Sequence, residues 1–228
     1  MVERCQKYPF VNQGGIMKAP FIVIDGMDGS GKGTQIGLLA ARMGDEGRNF
    51  ILTREPGGTP LSEKIRDIFS SPEGADASAR TQYLMMWAAR SHWMEKVVIP
   101  YLSAGTLIVS DRGDSSTIAY QVYAKMAPEL EDNFWRMRKF IFGEYTPTRY
   151  IILDIPAEEA KRRIDADTSR VKSPFDMKPL EWYERVREGF QTLHEELPHH
   201  VTIINGARTP EMIHEEIYRI VKGQCGWM

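Results

Sequence analysis

The chain has 228 residues, 42% of them hydrophobic and 26% charged, with a formal net charge of −2. That length suits one substantial α/β domain and is short for two, and the near-neutral balance gives no electrostatic reason to expect a nucleic-acid partner or an anionic membrane surface. No apolar run is long enough to span a bilayer, and the two cysteines, Cys5 and Cys225, lie near the two ends and offer no disulfide framework, which points to a reducing, cytoplasmic setting.

Residues 1–18 lack the apolar core of a signal peptide and read as an N-terminal extension to a single domain over 19–228. Phe21-Ile22-Val23-Ile24 then predicts a strand buried on both faces. It runs into the glycine-rich turn Asp25-Gly26-Met27-Asp28-Gly29-Ser30-Gly31, followed by Lys32 and a helical pattern through Met43. Strand, glycine loop, lysine and helix in that order are the setting of a phosphate-binding loop. Gly26, Gly29 and Gly31 let backbone N–H groups turn inward around a phosphate, and Lys32 and the positive helix end supply charge. The usual hydroxyl ligand for a metal ion after the lysine is replaced by Gly33, and Thr34 points about 100° further round the helix.

A second strand is expected at Phe50–Thr53, ending in the shaped loop Arg54-Glu55-Pro56-Gly57-Gly58-Thr59-Pro60. A short helix capped by Ser62 and a loop over Ser71–Asp76 follow. Residues 79–103 carry a long helical pattern rich in Met and Trp, which reads mostly as core. Thr106–Ser110 predicts a buried strand ending at Asp111-Arg112, then a helix over Ser115–Lys125 and another from Pro128 to Gly143. Tyr150–Ile155 is the fourth strand, with a helix opening at Pro156. Periodicity is lost between Asp165 and Pro179, and a helix over Leu180–Leu197, a strand over Val201–Ile204, the turn Asn205-Gly206 and a helix over Pro210–Lys222 complete the chain. Five apolar strands alternating with helices predict a parallel sheet covered on both faces, with ligands beyond the carboxyl ends of the strands.

The segments at those ends resemble a known family. Gly29-Ser30-Gly31-Lys32-Gly33-Thr34-Gln35 is spelled as in nucleoside monophosphate kinases. The series Thr53-Arg54-Glu55-Pro56-Gly57-Gly58-Thr59-Pro60, Ala88-Ala89-Arg90, Asp111-Arg112 and Asp114 to Gln121 resembles thymidylate kinases, in matching order over about residues 19–220. The resemblance implies a three-layer P-loop NTPase fold with a five-stranded parallel sheet, and transfer of the γ-phosphoryl of ATP to dTMP, with Mg²⁺ as the metal. On that reading Gly26, Asp28, Gly29, Ser30, Gly31, Lys32, Gly33 and Thr34 hold ATP, and Asn205 and Ala207 form an adenine-contacting turn. Asp28, Arg54, Pro56, Met86, Arg90, Arg112, Thr117, Tyr120 and Gln121 form the dTMP site, with Arg54 and Arg112 on its phosphate, Arg90 on the thymine carbonyl and Tyr120 under the sugar. Asp111, with Asp28 and Thr34, is the expected metal set. Lys32, Arg112, Asp28 and a lid arginine, Arg170 or alternatively Arg163, carry the catalytic charge, the lid covering about 162–178. The resemblance also implies a homodimer packed through long helices, with the helix over 79–103 a candidate surface.

Two positions depart from the family. Met86 stands where a base-stacking Phe is usual, and Gly113 where a Tyr or His commonly follows the Asp-Arg pair. Met86 leaves dUMP or a modified pyrimidine open as acceptor. Other uses of the same residues are loop ion pairs of Arg54 and Arg112 with Glu55 and Asp111, and a turn-stabilising role for Asp28. A nucleotide switch without catalysis is the reading from another class.

Overall fold

A computed structural model describes residues 19–168 and 172–227. Its centre is a five-stranded, all-parallel sheet of β1 (Phe21–Gly26), β2 (Phe50–Arg54), β3 (Leu107–Asp111), β4 (Arg149–Asp154) and β5 (Val201–Asn205), in the order β2-β3-β1-β4-β5. The three inner strands are buried almost throughout, as their continuous apolar runs require, whereas edge strand β2 exposes Leu52 and Arg54. Alternate residues feed two cores. Ile22, Ile24, Val109, Ile151 and Leu153 face helices α1 (Lys32–Asp45) and α10 (Pro210–Cys225). Phe21, Val23, Ile108, Tyr150 and Ile152 face the opposite layer.

That second layer holds α2 (Pro60–Ser70), α3 (Pro72–Asp76), α4 (Ala79–Trp93), α5 (Ile99–Ser103), α6 (Asp114–Thr117), α7 (Glu131–Phe142), α8 (Ala157–Ala166) and α9 (Leu180–Glu196). The helical path expected over 79–103 is continuous but passes through a π turn at Met94–Val98, next to Pro100, which has no N–H to return to Lys96. Trp87, Trp93, Met94 and Val98 are core residues. The Trp/Met stripe of that helix is therefore spent inside the chain's own core, while Leu84 on the same helix is exposed. Past α6 a second π segment, Ile118–Tyr123, carries the helix to Tyr123, and α9 packs on it so closely that a Cβ on Gly189 would lie 2.6 Å from Ala119 Cα.

Local chemistry moves a few boundaries. Helix α2 starts at Pro60 rather than near Ser62, because Thr59 is its N-cap, its Oγ1 accepting from Ser62 N at 3.1 Å. Ser71–Asp76, expected as a loop, contains α3, capped by Ser71 Oγ, which accepts from Gly74 N at 3.1 Å. Helix α8 runs to Ala166, so Arg162 and Arg163 lie on a helix and the irregular part of the expected 162–178 segment begins at Asp167. Residues 1–18 and the candidate Arg170 lie outside the described residues. No described helix is long and apolar enough to cross a membrane.

Candidate active site

The carboxyl ends of β1, β2 and β3 converge on two cavities that share a wall. The first, of about 460 Å³, is bounded by the glycine loop. The turn after β1 leaves the sheet at Gly26, where a Cβ would meet Leu153 O at 2.5 Å, and passes Gly29 at φ +81°, where a Cβ would meet Ala160 O at 2.7 Å. Only glycine permits both approaches. Gly29, Gly31, Lys32, Gly33 and Thr34 line this cavity, so Thr34 faces it despite its position one residue late. Gly26 and Ser30 are buried behind it and shape the loop from below. Lys32 Nζ donates to Gly26 O and Met27 O, at 2.8 and 3.0 Å. Burial, and then the nearby Arg112 charge, push the Lys32 ammonium down to about 8.

The second cavity, of about 220 Å³, lies between the loop, α2, α4, the π segment after α6 and the stretch before α9. Of the expected acceptor residues, Asp28, Pro56, Met86, Arg112, Tyr120 and Gln121 line it. Met86 is the buried side chain on the α4 face of this cavity, whereas Trp87 packs away into the core against Tyr83, Phe134 and Phe142. Trp87 therefore does not substitute for the missing Phe.

Asp28, Arg66 and Arg112 line both cavities. Arg112, at φ 68°, holds an uncommon backbone conformation for a side-chain-bearing residue. Its Nη2 donates to Asp28 Oδ1 at 2.5 Å, and its Nη1 donates to Ser116 Oγ at 3.0 Å and to Asp25 Oδ1 at 3.3 Å. Burial works against its charge, but Asp28, Tyr120, Asp25 and Asp111 together hold its pKa well above the ordinary value. Asp25, fully buried, accepts from Ser115 Oγ at 2.6 Å, Ser116 Oγ at 2.8 Å and Gly26 N at 2.8 Å, with burial raising its pKa. Arg112 thus pairs with Asp25 and Asp28, not with Asp111, and Asp28 does more than stabilise a turn: it also accepts from Tyr120 Oη at 3.2 Å.

Arg54 sits elsewhere. It is half exposed, its Nη2 lies 2.9 Å from Glu63 Oε2, and it lines a third cavity of about 650 Å³ beside β2. Arg66 faces the shared wall, its Nη1 donating to Pro56 O at 2.9 Å. Burial, followed by Arg54 and Arg112, lowers the pKa of its guanidinium, the mark of cations gathered around a place for an anion. The sequence reading missed Arg66. Ser62, Arg66 and Phe69 recur on one face of α2 at helical spacing, which is the signal that could have found it.

Arg90 and Thr117, also expected at the acceptor, are buried and do not line this cavity: Arg90 Nη2 donates to Thr117 Oγ1 at 3.0 Å and its Nε lies 2.6 Å from Glu55 Oε2. Glu55 therefore partners Arg90, not Arg54. Burial pushes the Glu55 carboxyl up to about 8, with Arg90 opposing. The stretch before α9, inside the expected lid segment, adds Ser173, Phe175 and Asp176, which the expected acceptor set does not include, and Phe175 stacks on Phe69 of α2 with ring centroids 5.0 Å apart. Gly113 is extended, and a Cβ there would lie 3.0 Å from Val23 Cγ1, so this loop passes close over β1.

Asn205 and Ala207 are exposed and do not line the donor cavity. Asn205 Oδ1 accepts from Ala207 N at 2.9 Å, closing the turn after β5. That turn reaches the loop through Arg163, whose Nη1 donates to Gly29 O at 3.3 Å and Gly206 O at 3.4 Å, and which lines the donor cavity. Asp111 also lines it, with a buried Oδ1 that has no hydrogen-bond partner. An orphaned carboxylate oxygen in a cavity lined by the glycine loop, Lys32 and arginines fits a hard divalent cation held largely by ligand oxygens and water. No cluster of three or more metal-binding His, Cys, Asp or Glu side chains occurs among the described residues.

A phosphate loop on a sheet of this order, facing a second cavity across shared arginines, has clear relatives. A family profile described as Thymidylate kinase matches residues 24–217. The chain belongs to the thymidylate kinase family. The thymidylate kinase of Bacillus cytotoxicus is 34% identical over 208 residues, covering 91% of this chain and 99% of that protein. That of Chlamydia caviae is 37% identical over 194 residues, or 84% and 91% of the two chains. The crystal structure of thymidylate kinase from Ehrlichia chaffeensis superposes with a TM-score of 0.71 at 27% identity, covering 90% of this chain and 99% of that one. The thymidylate kinase match runs from β1 to α10, so it takes in both cavities and their shared wall.

Proposed function

We propose that this thymidylate kinase passes the γ-phosphoryl group of ATP directly to dTMP across the wall shared by its two cavities, yielding ADP and dTDP for dTTP biosynthesis. The observation that carries the geometry is that Asp28, Arg66 and Arg112 belong to both cavities. Phosphoryl transfer needs positioning and charge stabilisation more than covalent help, and a guanidinium between donor and acceptor supplies both. The loop amides and Lys32 would cradle the donor phosphates, and Arg112 with Arg66 would hold the acceptor phosphate. Asp28 would orient the sugar hydroxyl while fixing Arg112, and Tyr120 would pack against the deoxyribose. Arg90 would donate to the base, with Gln121 beside it and Met86 against its face. Asp111, with Thr34, would hold Mg²⁺, which when bound neutralises the phosphate charge. Arg163, which lines the donor cavity, would face the donor phosphates, and Arg170 keeps its proposed role as a lid arginine from the family resemblance.

A homodimer is proposed on the family resemblance, with exposed Leu61, Ile68 and Leu84 of α2 and α4 as the contact face, and sedimentation equilibrium gives the mass directly. A cytoplasmic location follows from the proposed role in nucleotide supply. Turnover with dTMP, dUMP, dGMP and AMP, each with ATP before and after chelation, tests the function. The expected result is dTMP ranking first, activity lost on chelation and restored by Mg²⁺. dTMP ranking below another acceptor would overturn the choice of substrate.

A further inference from the structure

We infer that Glu55 is the positioning residue that sets base discrimination, by clamping Arg90 so that one edge of its guanidinium is kept for a carbonyl oxygen of the acceptor base. The inference rests on the proposed placement of Arg90 beside the base.

Three contacts fix the fork. Nε lies against Glu55 Oε2 at 2.6 Å, Nη2 donates to Thr117 Oγ1 at 3.0 Å, and the guanidinium carbon stands 4.4 Å from the centroid of the Trp87 ring. Arg90 is 2% exposed and Glu55 4% exposed, so neither side chain is free to swing into water. Nη1 is buried and has no hydrogen-bond partner; nor has Glu55 Oε1, nor Nε, whose approach to Glu55 is an ion pair without hydrogen-bond alignment. A buried N–H without an acceptor costs on the order of 1–3 kcal/mol, a cost that a ligand acceptor removes.

The neighbours of this clamp say where that acceptor lies. Met86, one helical turn before Arg90, lines the acceptor cavity. So do Pro56, next to Glu55, and Gln121, one turn beyond Thr117. Glu55, Arg90 and Thr117 are themselves buried and do not line that cavity, but each stands next to, or one helical turn from, a residue that does. A guanidinium only donates. An edge held there favours a 4-oxo pyrimidine and leaves a 4-amino pyrimidine with two donors face to face, the kind of polar mismatch that separates substrates strongly. Glu55 matters because its carboxyl group stands 2.6 Å from Nε and holds the buried guanidinium in place; without it Arg90 can rotate away from the base.

The test is steady-state kinetics of wild type, Glu55→Gln, Thr117→Val and Arg90→Met with dTMP and dCMP as acceptors, alongside KM for ATP and the thermal midpoint of each. Glu55→Gln should lower the dTMP:dCMP ratio of kcat/KM at least tenfold, chiefly through KM for dTMP, with KM for ATP within twofold of wild type. Thr117→Val should lower the ratio less. Should Glu55→Gln fail to fold, Glu55→Asp, which keeps the carboxyl group but draws it back from Nε, must lower the ratio in its place. An unchanged ratio in a folded Glu55 variant, with Arg90→Met losing discrimination, would overturn this inference alone. An unchanged ratio in Arg90→Met would overturn the placement of Arg90 at the base and the inference with it.

Discussion

The two cavities are built by opposite means. The proposed donor side is mostly one short stretch of chain, Gly29 and Gly31 to Thr34, with Asp111, Arg163 and the shared wall added. The acceptor side is assembled from side chains of the loop, α2, α4, the π segment after α6 and residues 173–176. A backbone cradle depends on where glycines permit the chain to turn. A side-chain cavity depends on tertiary packing that brings distant residues together. Substitutions should therefore split cleanly between the two sides, except in the wall they share.

Arg112→Ala should give the largest loss, because one guanidinium serves both sides: kcat/KM for either substrate should fall by about 10²–10³, the scale of a lost electrostatic clamp. Normal kinetics for one of the two substrates would show that the wall is not shared. Lys32→Ala should lower kcat by a comparable factor while dTMP binding, measured by calorimetry, stays near wild type, since Lys32 lines only the donor cavity. Arg66→Ala should come next, lowering kcat/KM for dTMP about tenfold with a smaller effect on ATP. Phe175→Ala, which removes the ring stacked on Phe69, should raise KM for dTMP several-fold and leave KM for ATP unchanged. Arg54→Ala should do least. Its partner Glu63 is a surface contact worth about 0–1 kcal/mol, and a loss greater than that of Arg66→Ala would return the acceptor phosphate to Arg54.

This division also explains what the sequence made legible. The alternation of five apolar strands with helices, the phosphate loop and the strand ends at Asp111-Arg112 could be read directly, because each is local in the chain. Met86, Tyr120 and Gln121 came from resemblance and do line the acceptor cavity. The π turns at Met94–Val98 and Ile118–Tyr123 carry no periodicity signal of their own, and α3 is a single capped turn hidden in a polar stretch. The exchange of partners, Glu55 with Arg90 and Arg54 with Glu63, was beyond reach. Neighbouring opposite charges in one loop look like partners until the fold turns Glu55 inward to a helix residue 35 positions away and Arg54 outward to α2. Arg66 shares a face of α2 with Ser62 and Phe69 at helical spacing, but that spacing does not say that the face stands beside Arg112 across the fold.

The most direct measurement uses a single molecule that joins thymidine to adenosine through a short polyphosphate, titrated calorimetrically into the enzyme. Two cavities facing one another across Asp28, Arg66 and Arg112 predict one molecule bound per chain, more tightly than either nucleotide, with binding blocked by saturating dTMP and equally by a non-hydrolysable ATP analogue. Binding blocked by only one of the two, or two molecules bound per chain, would mean that the cavities do not open onto each other, and direct transfer between them would be contradicted.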